Sequence, residues 1–288
     1  MILIIDSGSS KSDWIAIDSK KGTHFFEKQR TRGLNPAIIS EQEAHDIINN
    51  NETLINLKNL VEYVFFYGAG CGTVEAPKML ERVLQSIFTN AKISVKEDTY
   101  AAIYSTIGFE KHAAVVCILG TGSNCTYFDG KKIEQRITSL GYVLMDEASG
   151  NFFGKQLIRS YYFKTMSNDL AAEFEEEYDL SPDTIKENIY RRENPNTYLA
   201  TFSRFLIKHK QNEVFQDIIE KGLDRFINHQ ILQFENAKEV PIHFIGSISF
   251  FLKEEIEKAL KFKGLTMGRI VQRPIDELVK YHKNLIDK

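Results

Sequence analysis

The chain predicts an α/β protein made of two related halves, and three observations carry that expectation. A buried strand, a Gly/hydroxyl turn and a return strand open the sequence, and the same order recurs near residue 113. Between the two copies, strands alternate with helical stretches, the pattern of parallel strands joined by crossovers. The chain has 288 residues, 43% of them hydrophobic and 26% charged. At roughly 150 residues per domain that length suggests two domains with sizeable cores.

Each element has a local reason. Residues 2–5 are a short continuous apolar run, the mark of a strand buried on both faces. Residues 6–11 form a polar, Gly-bearing turn, 14–17 a return strand, 18–22 a second turn and 24–29 a third strand. The second copy reads strand 113–119, turn 120–124, strand 125–128, turn 129–132 and strand 133–137. Between the copies, 61–67 reads as a strand and 74–89 as a helix with Met79, Val83, Leu84 and Ile87 on one face. A strand over 93–95 then delivers Glu97 and Asp98 to a helix over 99–107.

The second half turns helical. Residues 149–163 read as an aromatic-rich helix interrupted early by Gly154, and Ser181-Pro182 as an N-cap with proline at the first helical position. Helices follow over 198–209 and 213–234. A strand over 240–245 leads through Gly246-Ser247 into a helix over 250–262. A short strand at 270–273 and an amphipathic helix at 275–286 close the chain.

Composition excludes several function classes. Thirty-six Lys+Arg against 39 Asp+Glu leave a net charge of −3, whereas nucleic-acid binders carry a basic field. Three cysteines (Cys71, Cys117, Cys125) without a CxxC disfavour a zinc ribbon, a redox pair and a disulfide framework. They fit a reducing, cytoplasmic compartment. The apolar start stops at Asp6 and is too short for a leader or a membrane span. Residues 173–178 read as a solvated acidic helix face, His243 as a core histidine, and Cys117 and Cys125 as packed thiols. Phe152, Phe153, Tyr161, Tyr162 and Phe163 read as core or dimer packing.

The chemistry concentrates in Gly/hydroxyl turns that follow buried strands, at 6–12, 120–124 and 246–249. Such turns expose backbone N–H groups, and glycine lets a phosphate come close. Two of them in equivalent places of a duplicated unit point to a polyphosphate held from both sides. GxxxxGK[ST] is absent, and no GxGxxG lies between the first strand and a helix. Asp6, at the end of the first strand, suits Mg²⁺ held through water, or a carboxylate capping its own turn. Lys11 suits a phosphate oxygen, or solvent. Asp98, at the carboxyl end of a strand, suits a base that accepts a hydroxyl proton during phosphoryl transfer, or an N-cap for the helix that follows.

The set IIDSGSSKSDW, KEDTYAA, ILGTGSNC, LGYVLMDEASGNFFGK and FIGSISF resembles the N-acetylglucosamine kinase family. That family lies in the BadF/BadG/BcrA/BcrD-type branch of the actin/hexokinase/heat-shock-protein ATPase superfamily. The resemblance implies two RNase H-like domains with mixed five-stranded sheets and ATP·Mg²⁺ in the cleft between them. It implies domains at 1–110 and 111–273, with the helix 274–288 packing back on the first, and a cytoplasmic homodimer. It implies transfer of the γ-phosphoryl group of ATP to the 6-hydroxyl of an N-acetylated amino sugar.

Carried over by motif, Ser7, Gly8, Ser9, Ser10 and Lys11 match the first phosphate loop, with Asp6 toward Mg²⁺. Gly120, Thr121, Gly122 and Ser123 match the second. Asp98 matches the catalytic base, and Gly246 with Ser247 the adenosine motif. Asn35, Asp98, Thr121 and Asp146 match the sugar contacts, with Glu147 beside Asp146. Where the family has Gly-Trp-Gly this chain has Ser139-Leu140-Gly141, and Met145 and Ala148 replace the glycines around the acidic pair. Those departures leave the amino sugar open between N-acetylglucosamine, N-acetylmuramic acid and glucosamine. An ATPase that activates a partner enzyme is the alternative, but its iron–sulfur cluster needs close thiolates. A sugar-sensing regulator would want a basic DNA-binding segment before the first strand, which is not in the sequence.

Overall fold

The computed structural model describes residues 1–286 apart from 27 and 111, so residue 111 at the expected domain boundary and 287–288 of the expected last helix lie outside the described residues. The chain divides into two compact units, one of residues 1–110 and 273–288 and one of 111–272.

In the first unit, β1 (Ile2–Ser7) is buried along its length except at Asp6, which is part-exposed. It turns through Gly8, whose N–H donates to the Lys11 carbonyl at 2.9 Å, into antiparallel β2 (Lys11–Ile17). β3 (Gln29–Arg32) pairs antiparallel with β2, from Lys11↔Arg32 to Trp14↔Gln29. The third strand therefore lies later than the expected 24–29, of which residue 27 is not described. Asp18 Oδ1 accepts from the Lys20 and Lys21 N–H groups, closing a tight turn. Beyond that turn His24 makes only an isolated bridge with Ile17.

Helices α1 (Glu41–Asn49) and α2 (Glu52–Leu57) follow, the first started by a Ser40/Glu43 capping box. β4 (Tyr63–Gly68) pairs parallel with β1, and β5 (Lys92–Glu97) parallel with β4. Between them α3 (Glu75–Ile87) buries Leu80, Val83, Leu84 and Ile87, with Met79 at the rim. α4 (Asp98–Thr106) follows β5 directly. The C-terminal helix (Pro274–Ile286) packs on α4, β1 and β2, burying Ile275, Leu278 and Val279 against Ile2, Ile4 and Ile15. The sheet order is β3-β2-β1-β4-β5.

The second unit repeats this plan. β6 (Ala114–Leu119), β7 (Ser123–Phe128) and β8 (Ile133–Glu134) form an antiparallel meander. β9 (Pro241–Ile245) pairs parallel with β6, and β10 (Thr266–Val271) parallel with β9. The order β8-β7-β6-β9-β10 is that of the first sheet. The duplication read from the turns is thus present in the strand pairing.

Eight helices fill the second unit among the described residues: α5 (Gly150–Tyr162), α6 (Asn168–Glu177), α7 (Pro182–Tyr190), α8 (Pro195–Thr201), α9 (Ser203–Lys208), α10 (Glu213–His229), α11 (Ser247–Phe251) and α12 (Lys253–Phe262). Two expected long helices are broken, at Phe202 and at Leu252. Both break residues are buried, so core packing overrides a helical pattern that continues through them. Gly154 does not interrupt α5. It lets α8 approach, since a Cβ there would lie 1.8 Å from the Leu199 carbonyl oxygen. Phe152 and Phe153 are core, whereas Tyr162 and Phe163 are exposed. Cys117 and Cys125 face each other across β6–β7, buried, with sulfurs 3.6 Å apart. No helix among the described residues is long and apolar enough to cross a membrane.

Candidate functional site

The first unit gathers its chemistry at the carboxyl end of β1. The side chains of Ser7 and Ser12 hydrogen-bond at 2.7 Å and accept the Leu34 N–H at 2.9 and 3.2 Å. Ser7 therefore lies under the loop, turned into the core, while Gly8, Ser10 and Lys11 are exposed. Gly33 lets the chain pass beneath: a Cβ there would meet the Gly8 carbonyl oxygen at 2.3 Å. Buried Asn35 donates from Nδ2 to Ser9 Oγ at 2.8 Å, and its Oδ1 accepts from the Ala37 N–H at 2.9 Å. Asn35 and the first loop are thereby one assembly. The Lys11 ammonium is held below its ordinary range by desolvation and by Arg30 and Arg273, with Asp13 and Asp6 opposing.

Asp6 pairs with Asp13 across β1–β2, and Asp13 pairs with Arg30 across β2–β3. Asp13 is compensated by Arg30 Nε at 2.7 Å. Asp6 is not: desolvation, then Asp13 and Asp98, push its pKa up to about 7 against the pull of Lys11 and Lys28. Asp98 is likewise raised to about 7, by desolvation and then by Glu97. Asp6, a desolvated carboxylate short of positive charge, supplies the hard oxygen donors that Mg²⁺ takes, with waters completing its shell. The residues present fit that ion.

The alternative of Asp98 as an N-cap is not realised. Glu97 occupies the cap position and Asp98 is the first helical residue of α4. Its carboxylate accepts from its own and the Thr99 backbone N–H groups. That fixes the side chain at the helix start while leaving lone pairs for a ligand. Cys71 lies close enough to Asp98 and Glu97 that they add to burial in pushing its thiol up to about 12, so no thiolate competes there.

In the second unit the loop is tight. The Gly120 N–H donates to the Gly122 carbonyl at 2.9 Å, and β7 begins already at Ser123. The start of α5 ties it down: Gly150 N–H donates to the Gly120 carbonyl at 2.8 Å and Asn151 N–H to the Thr121 carbonyl at 3.0 Å. Asp146, buried with φ +69°, accepts from the Ser123 N–H at 3.3 Å through Oδ1 and from Asn151 Nδ2 at 2.8 Å through Oδ2. So Gly120, Thr121, Gly122, Ser123 and Asp146 form one cluster. Glu147 beside it leaves Oε2 buried and without a hydrogen-bond partner.

Sequence reasoning missed Asn151 and Lys155. Half-buried Lys155 donates to the Tyr142 carbonyl, and desolvation lowers its pKa against the pull of Asp146 and Glu147. Both lie inside the stretch LGYVLMDEASGNFFGK that carries the resemblance, but nothing local assigns either a role; the only further signal is polarity on a helix face that otherwise packs. The turn it anchors presents Leu140, Val143 and Leu144 at 57%, 72% and 71% exposure. Gly246, at φ +115°, precedes α11, and a Cβ there would lie 2.3 Å from the Leu119 carbonyl oxygen. Ser247 is exposed at the first position of α11. His243 is core as expected, its Nδ1 accepting from the Arg269 N–H at 2.8 Å, but its Nε2 is buried without a partner. Glu173, Glu177 and His209 could together offer three metal-ligand atoms. Lys208 already bridges both carboxylates there.

No family model and no curated protein matches the chain. Solved structures do. A protein from Porphyromonas gingivalis described as a candidate N-acetylglucosamine kinase is 35% identical, with 99% of each chain covered and a TM-score of 0.90. A second such protein, from Chromobacterium violaceum, is 12% identical over 98% of each chain, with a TM-score of 0.69. A ROK family glucokinase from Streptomyces griseus, solved with glucose and AMPPNP, is 13% identical over 98% of each chain, with a TM-score of 0.61. The last two share the fold. The first shares sequence along essentially its whole length, and the chain therefore belongs to the N-acetylglucosamine kinase family.

Proposed function

We propose that the chain is an ATP-dependent sugar kinase that phosphorylates the 6-hydroxyl of an N-acetylated amino sugar, N-acetylglucosamine ahead of N-acetylmuramic acid and glucosamine. The observation that carries this is the place of Asp98, first residue of α4 directly after the carboxyl end of β5, where burial raises its carboxyl to about 7. A base titrating near the working pH is well matched to taking a hydroxyl proton. Asp98 accepts that proton while the sugar oxygen forms its bond to the γ-phosphorus. The bond from the γ-phosphorus to the β–γ bridging oxygen breaks, and ADP leaves with its electron pair.

The first loop, Ser7 to Lys11, and the second, Gly120 to Ser123, face phosphate oxygens with the backbone groups their own turns do not engage and with the Lys11 ammonium. Asp6 would hold Mg²⁺, and the ion would supply charge neutralisation on the phosphates. Asn35, Thr121 and Asp146 orient the sugar, and Gly246 with Ser247 receive the adenosine. The 35% identity to the Porphyromonas gingivalis protein supports the same substrate class. The family also implies a cytoplasmic homodimer, for which light scattering is the check.

ADP release is the test, with N-acetylglucosamine, N-acetylmannosamine, N-acetylmuramic acid, glucosamine and glucose offered separately. N-acetylglucosamine should stimulate most. Stimulation by none of the five sinks the kinase reading, and a preference for another amino sugar reassigns the substrate.

A further inference from the structure

Asn151 lies in the first turn of α5 and is wholly buried. Its Nδ2 donates twice, to the Thr121 carbonyl at 2.7 Å and to Asp146 Oδ2 at 2.8 Å. Its backbone N–H donates to the same Thr121 carbonyl at 3.0 Å. Its Oδ1 is buried with no partner, so the amide is held by its donors alone. An amide nitrogen carries two N–H groups, and here each meets a different element. One meets the Gly120–Ser123 turn; the other meets the carboxylate next to it.

We propose that Asn151 is a positioning residue that couples two ligand subsites of the second unit, an anion on the Gly120–Ser123 turn and a sugar hydroxyl on Asp146. This deepens the kinase reading and rests on it. An anion that orders the turn fixes the Thr121 carbonyl, and Asn151 passes that order to the Asp146 carboxylate. A sugar hydroxyl then meets an acceptor already oriented. Ordering already present when the second ligand arrives does not have to be supplied by it, so each ligand tightens the other, reciprocally. Asp146 has few other ways to be held: its other oxygen relies on a 3.3 Å bond from Ser123.

Calorimetry on the full chain tests this, titrating N-acetylglucosamine with and without AMPPNP and Mg²⁺, for the wild type, Asn151→Asp and Asn151→Ala. In the wild type the nucleotide should tighten sugar binding about fivefold or more. In both variants that ratio should fall to about one. Asn151→Asp keeps the size of the side chain and sets a carboxylate against Asp146, so it separates the loss of donors from the loss of packing. Thermal unfolding and AMPPNP affinity report whether each variant is folded, and Asn151→Ala carries the test if Asn151→Asp is not. A readout on the wild type alone stands beside them. Nucleotide should slow hydrogen exchange at Ser149 N–H, which donates to the Asp146 carbonyl at 3.2 Å. A ratio unchanged in a folded variant, sugar and nucleotide binding independently in the wild type, or an unprotected Ser149 amide each overturns the coupling while leaving the kinase reading intact. A wild type that binds neither ligand overturns the kinase reading, and this inference with it.

Discussion

Gly122 and Asp146 are in contact across the second loop: a Cβ on Gly122 would lie 2.9 Å from Asp146 Oδ2 and 3.2 Å from its Cγ. The carboxylate cannot swing away freely, because Ser123 and Asn151 hold its two oxygens. Gly122→Ala should therefore displace either the loop or Asp146. The expected outcome is a rise of about tenfold or more in KM for the sugar, with overpacking lowering stability by about 1–3 kcal/mol. Steady-state kinetics and a denaturant melt check it, and an unchanged KM would separate Asp146 from the sugar.

Gly120 gives the contrasting case. A Cβ at this position would meet nothing within 4 Å, and its φ is not in the left-handed region. Gly120→Ala should melt within about 0.5 kcal/mol of the wild type. If phosphate oxygens occupy that open space, the added methyl should raise KM for ATP severalfold. A variant with normal stability and normal KM would remove the second loop from the nucleotide site.

Asp98→Asn should separate activity from stability. Turnover should fall by about 10²-fold or more, the usual worth of a positioned base. Stability of the ligand-free protein should rise. A carboxyl whose folded pKa is about 7, above its unfolded value near 4, costs stability as pH climbs from 4 to 7 and costs it in full above 7. Removing the charge at pH 8 should add about 1–3 kcal/mol, and the gain should vanish below about pH 4. Thermal melts at the two pH values, beside ADP release, check both halves. Unchanged turnover would discard Asp98 as the base.

His282 sets an acid limit on the first unit. It is buried, its Nε2 lies 3.0 Å from the Tyr67 hydroxyl, and burial with Lys96 nearby lowers its pKa to about 4. The unfolded imidazole, near 6.5, takes its proton first. The stability of neutral His282 is thus complete above about pH 6.5 and is lost as pH falls to about 4, up to about 3 kcal/mol. Urea midpoints across that window should fall more steeply for the wild type than for His282→Gln. Equal slopes would assign the acid sensitivity to other groups, His243 among them, which is lowered in the same direction.

Turn chemistry and apolar runs are local properties, and they were legible. The two hairpins, the strand that delivers Asp98 and the Ser181-Pro182 helix start all follow from residues a few positions apart. Asp6 stood out as a carboxylate at a strand end, whereas Asn35 and Asp146 stood out only as parts of motifs, since nothing in their immediate neighbours dictates a ligand.

Long-range packing decided the rest. Two helical patterns break at Phe202 and Leu252 because the core takes those side chains, and β3 moves to 29–32 because Trp14 is held there, its indole N–H donating to Thr31 Oγ1 at 2.9 Å. Ser7 turns inward because Leu34, 27 residues away, brings it an N–H group. Asn151 stands in one of the motifs, but its role shows only in the fold: two acceptors from separate segments converge on one nitrogen after the chain has folded. Residues near one another in the chain dictate two equivalent loops and a carboxylate at a strand end. Which side chains hold those groups still was decided by the tertiary structure, because a buried donor must find its acceptor wherever the fold places one.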